Sequence, residues 1–127
     1  WEGHTIPEIE GKYAMLYGRW REDPSQVTPP NGESLPQILE RVGRALETIL
    51  EGDAERILVV GHGGIMRACL VRLLGVPYSL AWRMRMDNCG IVGIDFWKGR
   101  SMLAFTNDFL HLLVKGEEEA EALPLPD

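Results

Sequence analysis

Four consecutive aliphatic residues, Ile57-Leu58-Val59-Val60, run straight into Gly61-His62-Gly63-Gly64. No other stretch restricts the fold as tightly. A continuous apolar run of strand length, with no polar alternation, is the mark of a strand covered on both faces in a mainly parallel sheet. The glycines turn the chain, and residues 65–74 then read as a helix stopped by Gly75 and Pro77. Upstream, Ser34 and Gln37 match a capping box. Leu35, Ile38, Leu39, Val42, Ala45, Leu46, Ile49 and Leu50 follow at three- and four-residue spacing, a stripe for burial against a sheet, and Gly52 can end that helix. Helix, buried strand, tight turn and helix in succession predict an α/β fold, a three-layer sandwich around a mainly parallel central sheet.

The flanks are less regular. Residues 6–20 give a broken helical pattern through Ile6, Ile9, Tyr13, Met15, Leu16 and Trp20. Thr28-Pro29-Pro30-Asn31-Gly32 is a loop, since prolines exclude a helix interior and Asn-Gly favours a turn. Residues 91–96 and 102–106 read as two strands joined at Lys98-Gly99. The acidic, Pro-containing residues 114–127 read as a disordered tail. Trp20, Trp82 and Trp97 read as packing residues. No internal repeat or second domain is visible.

Where a buried strand ends and a helix begins, an open α/β sheet places its ligands. Free N–H groups and the positive end of the helix dipole attract an anion there, and glycine lets a phosphate approach the backbone. His62 can donate a hydrogen bond or a proton to a phosphoryl oxygen, with Gly63 beside it; a histidine satisfied in a tight turn is the plainer reading. The fingerprint G-x-G-x-x-G fails, because Met66 stands where its third glycine belongs. An esterase oxyanion loop would need a G-x-S-x-G nucleophile, which is absent. A net charge of −6 argues against general nucleic-acid or membrane-surface binding. No apolar run reaches the roughly 20 residues of a membrane span. Two cysteines, Cys69 and Cys89, have no metal-binding or disulfide-framework spacing. Cys69 reads as a small core residue, and a reducing cytoplasm suits both.

Five landmarks occur in order: Trp1-Glu2-Gly3; Pro30-Asn31-Gly32-Glu33-Ser34 with Arg41-Val42; Val59 to Gly64 with Arg67; Asp87-Asn88-Cys89; and Asn107-Asp108 with His111-Leu112. Together they resemble the histidine phosphatases of the phosphoglycerate mutase-like superfamily, over almost all of residues 1–113. The resemblance implies a phosphohistidine mechanism without cofactor or metal. A first histidine, in an R-H-G motif, attacks phosphorus; two arginines and a second histidine bind the phosphoryl oxygens, and a carboxylic acid protonates the leaving group. His62 matches the second histidine. Gly64-Ile65, in place of Asn-Ser, resembles the phosphatase branch, which includes α-ribazole phosphatases, and a phosphorylated small molecule is the implied substrate.

This sequence departs from the family pattern: no R-H-G occurs in it, and the family's second phosphate-binding arginine and its acid glutamate, which precede the Trp-Glu-Gly landmark, are expected before Trp1. His4 and His111 lack that context, and Glu2 belongs to a landmark rather than to the acid's place. With no initiator Met ahead of Trp1, the chain is expected to be the C-terminal part of an enzyme of roughly 200 residues, inactive alone. A catalytically inactive binding or interaction domain is the alternative. Without a neighbouring first strand, residues 57–60 would present an unpaired apolar edge open to another chain, with which a homo-oligomer is compatible. Glu33, Ser34 and Asn88 resemble residues of the family's pocket. Each also has a local reading: a first-turn acid, a helix cap and a turn. Arg67 reads first as part of a solvated or salt-bridged face.

Overall fold

The computed structural model describes residues 1–113, so the predicted tail lies outside the described residues. Helix α1 spans Ile6–Glu22 and is interrupted at Tyr13, whose φ of −129° and ψ of 31° are not helical. That break is the irregularity seen in its apolar pattern. Asp23 then accepts the Ser25 N–H at 2.9 Å and opens a single 3-10 turn, Pro24–Gln26. The Pro29–Gly32 turn closes through the Gly32 N–H and the Pro29 carbonyl, with Asn31 at φ 58°.

Helix α2, Leu35–Leu50, starts where the capping box places it: Gln37 Oε1 accepts the Ser34 backbone N–H at 2.8 Å. Helix α3, Gly63–Leu74, ends on Gly75 in the left-handed region, φ 68°. It begins two residues earlier than its apolar pattern indicates, so both glycines lie in its first turn. Helices α2 and α3 pack on each other, burying Val42 and Gly43 of one and Ala68 and Leu70 of the other.

A short helix α4, Tyr78–Trp82, follows and buries Ala81. Strands β1, Ile91–Trp97, and β2, Arg100–Asp108, form an antiparallel hairpin, with a last turn α5 at Leu110–Leu113. Lys98 and Gly99 both take positive φ, 48° and 73°, the two-residue turn whose twist suits a hairpin.

Aromatic rings join the N-terminal helix to the remainder. Trp20 of α1 meets Trp82 of α4 edge-on at 5.5 Å, and Trp1 meets both Tyr17 and Trp20 at 5.6 Å. Tyr78 stacks beside Trp82 at 5.9 Å. Trp20 and Trp82 thus pack as expected. Trp97 does not: it is 58% exposed at the hairpin end, with the Lys98 ammonium over its ring.

The chain is mixed α/β, but its strands differ from the expectation. The sheet among the described residues is the antiparallel pair β1–β2, and residues 57–60 belong to no strand. Burial on both faces is absent as well. Leu58 and Val60 are 85% and 88% exposed, whereas Ile57 and Val59 are each 43% exposed. The physical reason is the one that makes any strand: ladder partners must come from a neighbour, and no described segment pairs with residues 57–60 in a ladder. The two-residue alternation of exposure is that of a segment with one half-covered side and one bare side.

Bare aliphatic surface of this kind is expected to bind an apolar dye and to drive concentration-dependent self-association of the 127-residue chain. Leu58→Lys combined with Val60→Lys should lower both, measured by dye fluorescence and sedimentation velocity. Unaltered association would place the sticky surface elsewhere, on the hairpin.

Candidate functional site

His62 is the N-cap residue of α3, with extended backbone at φ −101° and ψ 152°. Its carbonyl accepts the first helical hydrogen bond, from Met66 N–H at 2.9 Å. The amides of Gly63, Gly64 and Ile65 therefore have no partner within the helix. The His62 side chain is exposed and makes no hydrogen bond to the described residues. An imidazole and a set of amides without helical partners stand at the positive end of a twelve-residue helix, an arrangement with the chemistry to accept an oxyanion.

Arg67 supports this helix start from behind. It stands four residues after Gly63, on the same face, and side chains on a helix lean toward the N-terminus. A Cβ built on Gly63 would lie 3.2 Å from Arg67 Nη1 and 3.7 Å from Met86 Cβ. Nη2 donates to the Met84 carbonyl at 3.1 Å, and the guanidinium lies 4.8 Å from the centre of the Trp82 ring. The Nε–H is buried and has no partner. Burial lowers the Arg67 pKa from its ordinary value, the nearby Tyr78 opposing the shift, while burial raises the Tyr78 phenol. The reading of Arg67 as a solvated or salt-bridged side chain is corrected here: it is half-buried, and among the described residues no carboxylate pairs with it. The i, i+4 relation to Gly63 was the available signal, but the contribution of Trp82 needed the fold.

Of the other candidates, Glu33 receives two hydrogen bonds from Arg41, 2.8 Å from Nε and 2.6 Å from Nη2. Those bonds hold its carboxyl below the ordinary value and raise the arginine. Ser34 is engaged in the α2 cap with Gln37. Asn88 is exposed in the Asp87–Gly90 turn, whose Gly90 N–H meets the Asp87 carbonyl at 3.1 Å. No hydrogen bond or ion pair among the described residues joins His62 to Glu33, Ser34 or Asn88. The turn holding Asn88 is fastened by a residue outside the candidate set. Asn107 accepts the Asp87 N–H at 2.7 Å and donates to Asp87 Oδ2 at 2.9 Å, and Arg85 Nε reaches both carboxylate oxygens. Cys89 follows at φ 60°, exposed, and burial raises the Cys69 thiol. Among the described residues no group of three His, Cys, Asp or Glu is placed to hold a metal ion, and no helix is long and apolar enough to cross a membrane.

Residues 1–109 match the histidine phosphatase superfamily (branch 1). Over 123 residues the chain is 33% identical to phosphoserine phosphatase 1 of Hydrogenobacter thermophilus, covering 96% of this chain and 57% of that protein. It is 27% identical over 108 residues to the adenosylcobalamin/alpha-ribazole phosphatase of Salmonella typhimurium, covering 84% and 54%. The crystal structure of a putative alpha-ribazole-5'-P phosphatase from Escherichia coli superposes with a TM-score of 0.71 at 28% identity, over 85% of this chain and 54% of that one. The chain thus spans a little over half the length of these relatives.

Asn107 first, then Arg85, holds the Asp87 carboxyl below its ordinary value of 3.8. A depressed carboxylate stabilises the turn above that ordinary value, and the contribution is lost as pH falls through the lower, folded one. Asn107→Ala should move the Asp87 titration upward toward 3.8, read by carboxyl carbon NMR. An unmoved titration would show that Arg85 alone sets it.

Proposed function

The chain belongs to the histidine phosphatase superfamily, and from that membership we propose that it is the C-terminal part of a phosphomonoester hydrolase working through a phosphohistidine intermediate. The observation that carries this reading is His62 at the N-cap of α3, beside three amides with no helical partner. Relatives named as phosphoserine and alpha-ribazole phosphatases support hydrolysis of a phosphorylated small molecule. In the cytoplasm, such a substrate would place its phosphoryl group at the α3 start.

The reaction has two displacements. A histidine outside these 127 residues attacks phosphorus; the N–P bond forms as the P–O bond to the alcohol breaks, and a carboxylic acid protonates the departing oxygen. Water then attacks the phosphohistidine, releasing inorganic phosphate and restoring the imidazole. His62 and the amides of Gly63 and its successors donate to the equatorial oxygens, where charge is spread in the transition state. Glu33, Ser34 and Asn88 would border the pocket that receives the alcohol portion.

In the complete protein, residues 57–60 would gain a strand alongside and enter a parallel sheet within three layers, which would cover Leu58 and Val60. One observation favours a second reading, a phosphatase-like interaction domain without chemistry: these 127 residues contain no R-H-G. Activity of the longer protein discriminates between the two.

Hydrolysis of p-nitrophenyl phosphate by the longer protein should fall about 10²–10³-fold with His62→Ala, the usual cost of losing a positioned donor. The 127-residue chain should show no turnover. Turnover by that chain, abolished by His62→Ala, would instead assign the nucleophile to His62.

A further inference from the structure

Among the described residues Arg67 has a buried Nε–H with no partner and no carboxylate beside it, and each unpaired buried donor costs free energy, an unopposed charge more. Its surroundings supply one carbonyl, one ring face and a phenol, all neutral. The residue it lies against is Gly63, the first residue of α3. We infer that Arg67 is a positioning residue of the phosphate site, fixing the Gly63 end of α3 against residues 82–86 and placing an unneutralised positive charge behind the amides that meet the phosphoryl oxygens.

The inference rests on the phosphate-binding reading of His62 given above. Three observations carry it independently of that histidine. Reach comes first: Nη1 is 3.2 Å from where a Gly63 side chain would begin, so the guanidinium lies in close contact with the helix start. Second, the guanidinium is clamped on two sides, by the Met84 carbonyl and the Trp82 ring, and the latter is held in turn by Trp20 and Tyr78. A planar, multiply donating cation suits such a clamp better than a flexible ammonium. Third, its charge has no counter-charge among the described residues: no carboxylate there pairs with Arg67, whereas Glu33, Glu40 and Asp87 engage Arg41, Arg44 and Arg85. A salt-bridged arginine would lend the site little field. Arg67 adds to the potential of the helix dipole in a half-desolvated setting, where charge acts over a longer range than in water.

The test uses the longer, active protein with inorganic phosphate as a competitive inhibitor of p-nitrophenyl phosphate hydrolysis. Arg67→Gln removes the charge and keeps a donor for the Met84 carbonyl; Arg67→Lys keeps the charge. The inhibition constant of phosphate should rise about tenfold in Arg67→Gln, the order expected for one partly screened charge at close range, and less than threefold in Arg67→Lys. Equal inhibition constants in Arg67→Gln and wild type would overturn the inference, as would equal weakening in both variants, which marks a purely structural role. Should Arg67→Gln fail to fold, the wild-type nitrogen-15 resonance of Arg67 Nε decides. It should shift with the Gly63 amide as phosphate is added, at a common midpoint, and a Gly63 response without one from Arg67 refutes the inference. His62→Ala is the control that separates the two proposals: full activity there would remove the phosphate-site reading itself, whereas lost activity with unmoved phosphate inhibition in Arg67→Gln removes only the role of Arg67.

Discussion

Arg67 ties α3 to α4 and to the segment just beyond it. Its stem belongs to α3, its guanidinium lies on a ring from α4, and one of its donors reaches the carbonyl of Met84 just beyond that helix. Trp82 in turn meets Trp20 of α1, and Trp20 meets Trp1. A chain of rings and one cation therefore runs from the first residue to the start of α3. Dispersion and edge-to-face contacts of this sort are individually modest. Here they fix the relative placement of α1, α3 and α4.

Much of the architecture was legible in the sequence because the signals were local. Ser34 and Gln37 mark the start of α2, Gly75 the end of α3, and Lys98-Gly99 the hairpin turn. Each is a statement about a backbone conformation that a particular residue type favours. The place of His62 at the start of α3 was legible for the same reason, from the glycines on either side of it. What was not legible depends on partners distant in sequence. Nothing in the Ile57 to Val60 run itself discloses whether a neighbour pairs with it, and Leu58 and Val60 are exposed where no described strand does.

Two site features also escaped the sequence. Arg67 looks like an ordinary helix-surface arginine until Trp82 and Met84 are brought over it, fifteen and seventeen residues later in the chain. Asn107 fastens the turn of Asn88 from the far end of β2, through contacts twenty residues apart. Both are polar residues whose role comes from tertiary placement, which periodicity cannot register. Glu33 is the converse case: an acid before a helix invites a dipole reading, yet Arg41 takes both its oxygens.

The β1–β2 hairpin carries a further consequence, for the order in which the chain acquires structure. Its strands are joined by a two-residue turn already suited to their twist, and its register is complete within residues 91–108. Such units close in about 1–10 μs, because little loop entropy must be given up before the first cross-strand contact forms. The Asp87–Asn107 bonds reach only four residues beyond its first strand. The Trp1-to-Trp82 cluster, in contrast, must bring together residues separated by most of the chain. Folding should accordingly begin at the hairpin and at the α2–α3 pair. The contact between Trp20 and Trp82 then closes last, and with it the outer support of the ring that carries Arg67.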